Sequence, residues 1–317
     1  MVHTTENKND HVLIIKLGAL GDFVQAIGPF RSIRFHHPNA RLTLLTTASF
    51  SELARKSGIF EDVWVDEKPK KWEVIKWLKL RTRLRKANFN RVYDLQTSNR
   101  SSLYFHLLLP GSRPEWSGIA AGCSHPHKNL QRDNMHTIER QAEQLSIAGI
   151  TDVVLDNLNW FNSDISKFNL PKNYALVAPG GSIRRPAKQW PVKYFSKLSK
   201  MLINFGIYPV LIGTKIDQST IAKIHHNCPD AINLCEKTSL HELFALAYSA
   251  KFSIGNDTGP MHISAVAGNF CLVLFSDASD PKLCAPRGKK VKILHKPDLN
   301  NLNVSQVIRE IKKIISF

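Results

Sequence analysis

Short apolar runs alternate with longer amphipathic segments along most of the chain. The first run, HVLIIKL at 11–17, is apolar at successive positions and bounded by glycine, which is typical of a strand buried on both faces. Similar runs recur in the second half at 174–180, 208–213, 251–257 and 270–276, with helical patterns between them. Strands that alternate with helices at this spacing predict an α/β protein with parallel sheets and helices on both faces.

The alternation predicts two domains, 1–155 and 174–317, joined by the polar and unperiodic segment 156–173. A length of 317 residues agrees with two domains of ordinary size. The segment 109–134 is rich in Gly, Pro, Ser and His and predicts a loop. In doubly wound sheets ligands bind beyond the carboxyl ends of the strands, so we expect the chemistry at strand-to-helix turns.

The charge balance favours anionic partners. Lys and Arg total 43 against 26 Asp and Glu, a formal net charge of +17, which suits phosphates, acidic membrane surfaces or nucleic acid. The chain has no helix-turn-helix, RNP-like or zinc motif, so we do not expect nucleic acid as the partner. It also has no apolar run long enough for a membrane span and no secretory signal pattern at its start, which predicts a cytoplasmic protein.

Several chemistries are disfavoured by missing motifs. The chain contains neither a GxG triplet nor a P-loop, which argues against dinucleotide-dependent enzymes and P-loop NTPases. Its five cysteines form no CxxC pair, and its histidines have no ligand set with metal spacing, so we expect reduced structural thiols, no metal and no cofactor.

The first turn with candidate chemistry follows the strand at 11–17. Gly18 and Gly21 permit a tight turn and the close approach of a ligand, and Asp22 falls at the start of the next helix. Asp22 could act as a helix cap or as a carboxylate that takes a proton from an attacking hydroxyl. The spacing alone leaves both interpretations open.

The second turn spans 179–191. Gly180 and Gly181 expose backbone N–H groups and Ser182 offers a hydroxyl, which together with nearby cations would suit a phosphate. The alternative is a solvated basic loop. The cations of this turn are Arg184, Arg185 and Lys188.

The third turn spans 255–262. Pro260 marks the start of a helix, whose N-terminal amides at Thr258 and Gly259 would face an anion. Asp257 could accept hydrogen bonds from sugar hydroxyls, and His262 would lie one turn into the helix. A histidine in that position is also compatible with ordinary burial in the core.

These three turns, in this order, resemble those of glycosyltransferase family 9, the ADP-heptose:lipopolysaccharide heptosyltransferases. The matching pieces are IIKLGALGDFVQAIGPFRSIR, VAPGGSIRRPAKQWP and INLCEKTSLHELFALAYSAKFSIGNDTGPMHISAVAG, and the similarity spans roughly 11–281. The resemblance implies a GT-B fold, with two Rossmann-like domains facing across a cleft, the N-terminal one for the acceptor and the C-terminal one for the nucleotide-sugar donor.

The family also implies roles for the matching residues. Asp22 corresponds to the general base, Lys188 to the cation on the donor diphosphate, and Ser182 to a further phosphate contact. Arg184 and Arg185 are candidates for additional phosphate contacts. The rest of the implied donor site comprises Asp257, Thr258, Gly259 and His262.

The implied reaction is an inverting, metal-independent transfer of heptose from ADP-heptose to a lipopolysaccharide inner-core acceptor at the cytoplasmic face of the inner membrane. The chain departs from the family pattern at 276–281 and at Glu236, both near the expected nucleoside. A different nucleotide sugar, or a different glycan or protein acceptor, therefore stays open, as does a non-catalytic protein that binds anionic ligands.

A basic segment at 68–91 carries ten Lys and Arg and one acid, Glu73. Trp72, Ile75, Trp77 and Leu78 are interleaved at roughly helical intervals, a pattern that fits an anionic membrane surface or acceptor phosphates. The alternative is a helix whose apolar stripe packs on the sheet while its charges are merely solvated.

Overall fold

The computed structural model describes residues 10–111, 113–153, 163–182 and 184–314. The chain divides into two compact units, Met1–Asp156 and Asn157–Phe317. The predicted linker 156–173 begins among residues 154–162, which lie outside the described residues. Its described remainder belongs to the C-terminal unit, where Lys167 forms an ion pair with Glu242 at 2.5 Å.

Six parallel strands form the sheet of the N-terminal unit, in the order β3-β2-β1-β4-β5-β6. The direction of winding changes between β1 and β4, so the carboxyl ends of these two strands mark a switch point where ligands commonly bind. The strands are β1 (His11–Ile15), β2 (Arg41–Thr46), β3 (Asp62–Val65), β4 (Arg91–Asp94), β5 (Glu115–Gly118) and β6 (His125–Pro126).

The helices of this unit pack their apolar faces on the sheet. Phe23 stacks on Phe50 with ring centroids 4.8 Å apart and meets Phe30 edge-on at 5.5 Å, which ties the first three helices together. The helices are α1 (Leu20–Gln25), α2 (Ile27–His36), α3 (Ala48–Lys56), α4 (Val74–Lys86), α5 (Asn99–Leu107) and α6 (Thr137–Ile147).

The loop prediction for 109–134 is wrong in part, because β5, β6 and a 3₁₀ turn at Arg132–Asn134 lie within it. Both strands are short, and only Trp116 gives β5 a large buried side chain, which meets Phe105 at 5.3 Å. Strands of two to four residues with Gly, Ser and Pro carry no apolar alternation. Pairing of β5 with β4 and of β6 with β5, rather than a local pattern, creates them.

The C-terminal unit repeats the arrangement, with the parallel order β12-β11-β10-β7-β8-β9. Counted from its own first strand, this order is that of the N-terminal unit, and the switch point lies between β7 and β10. The strands are β7 (Tyr174–Ala178), β8 (Tyr208–Leu211), β9 (Ile232–Asn233), β10 (Phe252–Asn256), β11 (Cys271–Phe275) and β12 (Val291–His295).

Burial at helical spacing explains the helices of this unit. The last helix places Val304, Val307, Ile308 and Ile311 in the core, and Asn303 caps its start. The helices are α7 (Val192–Asn204), α8 (Gln218–Asn227), α9 (Leu240–Ser249), α10 (Gly259–Val266), α11 (Pro281–Cys284) and α12 (Val304–Lys312). The predicted α/β class with parallel sheets is confirmed. Across the described ranges, no helix combines the length and the apolarity that crossing a bilayer requires.

Candidate functional site

The carboxyl ends of β7 and β10 lie side by side in the C-terminal unit. Ala178 pairs with Gly255 in the parallel register. A Cβ on Gly255 would lie 2.5 Å from the Ala178 carbonyl oxygen and 2.8 Å from the Met261 sulfur. Glycine at this position therefore lets both strands and α10 approach closely, and the second and third predicted turns become neighbours.

The Asn256 side chain links these two turns by hydrogen bonds. Its side chain is fully buried, and its Nδ2 donates to the carbonyl oxygens of Pro179 and Gly180 at 2.8 and 3.1 Å. Its Oδ1 accepts from the Trp190 N–H at 2.9 Å. One amide thus satisfies both ends of the 179–190 turn and fixes that turn against the end of β10.

Lys188 and Asp257, which are 69 residues apart, form an ion pair at this point. The Lys188 ammonium donates to Asp257 Oδ2 at 2.5 Å, and the two side chains are 12% and 7% exposed. The Ser279 hydroxyl donates to the same oxygen at 2.7 Å. The structure therefore brings together two of the predicted donor-site residues and adds a serine from the segment 276–281.

Thr258 and Gly259 carry the free N–H groups at the start of α10. Thr258 is the N-cap, and its side chain makes no cap hydrogen bond. Among the described residues neither backbone N–H has an acceptor, so both are available to an anion. His262 lies one turn further and is buried, as the core interpretation of this residue predicts.

The remainder of the second turn is exposed. Ser182, Arg184 and Arg185 all face solvent, and within the described ranges no ion pair or hydrogen bond holds the side chains of the two arginines. The Lys188 N–H donates to the Arg185 carbonyl oxygen at 3.0 Å, but among the described residues no side-chain hydrogen bond or ion pair joins these three residues to Lys188 or Asp257. Gly180 packs directly on the Asp217 carboxylate, which accepts from the Gly181 N–H at 3.3 Å.

In the N-terminal unit the first predicted turn lies at the carboxyl end of β1. Gly18 adopts a left-handed φ of +118°, and a Cβ there would lie 2.8 Å from the Phe50 ring. Both observations require glycine. Gly21 instead sits within the first turn of α1, so the tight turn needs only one of the two glycines.

Asp22 is the third residue of α1, whose N-cap is Ala19. Its Oδ2 accepts from the Ala19 N–H at 3.3 Å, so the carboxylate supports the helix start from inside the first turn rather than from the cap position. The side chain remains partly exposed. A weak local hydrogen bond and partial exposure leave Asp22 able to meet a substrate hydroxyl as well.

Two buried charged residues near Asp22 lie outside the predicted set of site residues. Lys16 donates to the Leu95 carbonyl oxygen at 3.0 Å, and burial lowers the pKa of Lys16, against which Asp22 and Asp94 raise it. Burial raises the pKa of Asp94 to about 6, although the N–H groups of Gln96 and Thr97 donate to its carboxylate. The ends of β1 and β4 thus enclose opposite charges.

Arg140 from α6 adds a second cation on this side of the unit. Burial lowers the pKa of Arg140, and the negative charge of Asp22 acts against that lowering. Asp22 therefore lies within the electrostatic reach of both Lys16 and Arg140. Arg140 lies in a helix far along the sequence, and nothing near the Gly18–Asp22 motif points to it.

Some of the additional residues carried a signal in the sequence. Asn256 lies inside the N-D-T-G-x-M-H piece and Lys16 lies near the end of the first apolar run, so their positions, though not their partners, were visible in the sequence. Ser279 stands in the segment that departs from the family pattern. Asp217 and Arg140 had no such signal, because only the tertiary fold brings them to these turns.

The residues in 10–111, 113–153, 163–182 and 184–314 contain no group of three or more His, Cys, Asp or Glu that could hold a metal ion. The five cysteines, all within the described residues, form no disulfide, and Cys123, Cys228 and Cys271 are buried. The chemistry available at the two switch points is therefore that of carboxylates, ammonium and guanidinium groups, and backbone amides.

Comparison with known proteins finds a match to the family glycosyltransferase family 9 (heptosyltransferase) over residues 77–312. A similar relative is lipopolysaccharide heptosyltransferase 2 from Salmonella typhimurium, 24% identical over 306 residues that cover 89% of this chain and 87% of the relative.

Solved structures agree with the match in fold. The chain is similar to E. coli ADP-heptose LPS heptosyltransferase II, with a TM-score of 0.79, 19% identity and coverage of 96% of this chain and 98% of the other. It is also similar to E. coli heptosyltransferase WaaC with ADP, with a TM-score of 0.75, 19% identity and coverage of 96% and 100%.

Proposed function

Because the chain belongs to glycosyltransferase family 9, the heptosyltransferases, we propose that it moves heptose from ADP-heptose to a hydroxyl of a lipopolysaccharide inner-core acceptor. The donor is proposed from the ADP and ADP-heptose analogue present in structures of similar fold, and the acceptor from the lipopolysaccharide enzymes among the relatives.

The observation that carries this proposal is the Lys188–Asp257 ion pair beside the free amides of α10. A nearly buried ammonium, two free N–H groups and a carboxylate stand together at the carboxyl ends of β7 and β10. Cations and helix N-terminal amides bind phosphate oxygens, while a carboxylate accepts hydrogen bonds from sugar hydroxyls. This is the set of groups that a diphosphate-linked sugar requires.

The reaction follows from these assignments. The acceptor oxygen attacks the anomeric carbon, the bond between that carbon and the diphosphate oxygen breaks, and ADP leaves with the bonding electron pair. Lys188 and the amides of Thr258 and Gly259 stabilise the negative charge that develops on the departing phosphate. Ser182, Arg184 and Arg185 stand in the exposed part of the same turn, and we assign them to outer phosphate contacts.

Asp22 is assigned as the general base. It takes the proton from the acceptor hydroxyl as the new glycosidic bond forms, which is the role of a partly exposed carboxylate held at a helix start. Attack by the acceptor on the face opposite the leaving group inverts the anomeric carbon. Since Lys188 and the amides supply the counter-charge for the diphosphate, we propose that the transfer needs no metal ion and no cofactor. We also propose that it takes place on the cytoplasmic side of the inner membrane.

A thermal-shift screen across nucleotide sugars tests the donor. ADP-heptose at about 100 times its Kd adds about 2.7 kcal/mol of stability, and UDP- and GDP-sugars should add much less. Lys188→Ala should lower the affinity for ADP-heptose about 10- to 100-fold, since charge-assisted hydrogen bonds contribute about 1.5–3 kcal/mol. Lys197→Ala removes an exposed lysine from the same unit and serves as the matched control.

The result that would overturn the donor assignment is a larger stabilisation by another nucleotide sugar. Equal ADP-heptose affinity of the wild type and Lys188→Ala would instead remove Lys188 from the donor site. Release of ADP that requires both ADP-heptose and a lipopolysaccharide acceptor, and that continues in the presence of EDTA, tests the acceptor class and the independence from metal.

A further inference from the structure

Helix α4 presents two apolar stripes, and only one of them is used by the fold. Trp77, Leu80 and Leu84 follow one another at helical spacing and pack into the core cluster of the N-terminal unit. The packing of this stripe is what the structural interpretation of the basic segment predicts. The apolar side chains on the other side of the helix do not belong to that cluster.

The second stripe is exposed. Trp72, Ile75 and Leu78 are 74%, 70% and 53% exposed, and Val74 beside them is exposed as well. Trp72 lies in the turn before α4 and the other three lie in its first turns. Large hydrophobic side chains that are exposed singly need no explanation, but a contiguous exposed group indicates a surface that another body covers. We call these four residues, together with Lys71, Lys79 and Lys86, the α4 surface.

The cations of this segment differ in their partners. Among those engaged within the fold, Lys76 pairs with Glu73 at 2.6 Å, Arg81 donates to the carbonyl oxygens of Leu107 and Leu109, and Arg83 lies 3.9 Å from the centroid of the Trp64 ring. Lys71, Lys79 and Lys86 are exposed and form no ion pair with any residue that the structure describes. Their charges are therefore available to an external anion.

A groove runs beside the exposed stripe. It has a volume of about 660 Å³ and is lined by Trp64, Ile75 and Leu78 as well as by Lys79, Arg83 and Lys86. An apolar wall with cations along it matches an acyl chain next to a phosphate. Neither a purely polar ligand nor a purely apolar one would use both kinds of side chain.

We propose that the α4 surface docks the protein onto an anionic phospholipid bilayer, with the stripe of Trp72, Val74, Ile75 and Leu78 at the headgroup boundary and the three lysines on lipid phosphates. Charge complementarity selects this occupant. A second copy of the same basic face would place like charges together, and nucleic acid would leave the apolar stripe exposed. The proposal does not depend on the donor or acceptor, because binding to vesicles needs no turnover.

Co-sedimentation with vesicles tests the proposal. Wild-type protein should pellet with vesicles of phosphatidylglycerol and phosphatidylcholine, should pellet far less with phosphatidylcholine alone, and should be released as salt is raised. The triple variant Lys71→Gln, Lys79→Gln and Lys86→Gln should lower the partition coefficient roughly 100-fold, because each basic residue near an anionic surface contributes about 1 kcal/mol and about 1.4 kcal/mol is a factor of ten.

Matched controls separate this surface from general basicity. Lys197→Gln, Lys200→Gln and Lys223→Gln remove the same charge from exposed positions of α7 and α8 and should leave the partition coefficient unchanged. Ile75→Ser with Leu78→Ser should weaken binding at least 10-fold, whereas Phe35→Ser with Leu130→Ser alters equally exposed positions elsewhere and should not. Quenching of tryptophan fluorescence by brominated lipid, reduced in Trp72→Phe, measures contact in a nearly unmodified protein.

Several results would overturn the proposal. Equal pelleting of the wild type and the Lys71/Lys79/Lys86 variant would show that these charges do not bind lipid. A dimer that Ile75→Ser with Leu78→Ser converts to a monomer, without loss of vesicle binding, would assign the surface to a second copy. Salt-sensitive binding of DNA that the lysine variant alone abolishes, with no binding to acidic vesicles, would assign it to nucleic acid. ADP release from ADP-heptose and a soluble acceptor analogue, measured in parallel, keeps failure of docking distinct from failure of the proposed transfer.

Discussion

The two switch points of this protein share one topology but hold their strand ends together with different chemistry. The last residue of the fourth strand in each unit is fully buried: it is Asp94 in the N-terminal unit and Asn256 in the C-terminal unit. Asn256 uses both its donor and its acceptor to join the neighbouring turn. Asp94 lies near a buried lysine, Lys16, whose ammonium bonds to the Leu95 carbonyl.

Asn256 therefore has a structural role at its switch point, whereas Asp94 has an electrostatic one. A neutral amide does not titrate, so the hydrogen bonds of Asn256 to the turn that carries Lys188 do not depend on its own protonation. A buried carboxylate with a raised pKa changes its charge near pH 6, which makes the N-terminal switch point sensitive to pH. We infer that the C-terminal site is built to hold a ligand still and the N-terminal site to carry charge beside Asp22.

The largest expected effect comes from Asp22→Asn. Loss of a general base lowers kcat about 10²- to 10⁴-fold, and ADP-heptose affinity should stay the same because the donor groups lie in the other unit. Asp257→Asn should have the opposite pattern: its main effect should be weaker donor binding. Steady-state kinetics together with calorimetric titration of the donor separates the two. Full kcat in Asp22→Asn would remove the base assignment and with it the division of labour between the sites.

Asn256→Asp places in the C-terminal unit the residue type that the N-terminal unit uses. A carboxylate there would face the carbonyl oxygens of Pro179 and Gly180, which repel it, and of the three hydrogen bonds of Asn256 it would keep only the one from the Trp190 N–H. An uncompensated buried charge costs about 3–5 kcal/mol, and urea unfolding at neutral pH measures the loss. Asn301→Asp makes the same change at an exposed position and should have little effect. A small loss of unfolding free energy in Asn256→Asp would contradict the role of Asn256 in holding the turn.

Asp94→Asn makes the reciprocal change and should have the smallest effect, seen in the pH dependence of stability. The native pKa is about 6, whereas an unfolded aspartate titrates near about 3.9, so the native state binds more protons between these values. Asp94 therefore makes stability fall as pH rises through this window, by at most about 1.4 kcal/mol per pH unit.

The free energy of unfolding of Asp94→Asn, measured in urea from acid to neutral pH, should lack this contribution. The comparison with the wild type isolates Asp94 because every other titrating group is present in both proteins. If the slope of the unfolding free energy against pH were the same in both proteins, burial would not set the titration of Asp94. The electrostatic difference between Asp94 and Asn256 would then be wrong.

Much of the fold followed from the sequence, because long apolar runs and capped amphipathic helices need little tertiary information. The strands β7, β8, β10 and β11 coincide closely with the predicted runs. The strands β5 and β6 were not predicted, because they form by pairing with β4 and β5, respectively, and have no apolar pattern of their own.

The candidate site divides in the same way. Lys188 and Asp257 were expected in one site from motif positions, and the structure brings them within 2.5 Å. The exposed positions of Arg184 and Arg185 could not be read from their charge, and the pairing of Ser279 with Asp257 depends on where the turn after β11 returns. A single sequence gives residue types at strand ends, whereas the fold decides which of them meet.

The Lys188–Asp257 pair has a consequence for turnover. Asp257 Oδ2 already receives both the Lys188 ammonium and the Ser279 hydroxyl, so an anion that engages Lys188 must share or displace an existing partner. If Lys188 binds the donor diphosphate as proposed, Asp257 competes for its ammonium and weakens the binding of the nucleotide before and after the transfer. In the same proposal, departure of the sugar lets the carboxylate regain its lysine, which favours release of the spent nucleotide and prepares the protein for its next cycle.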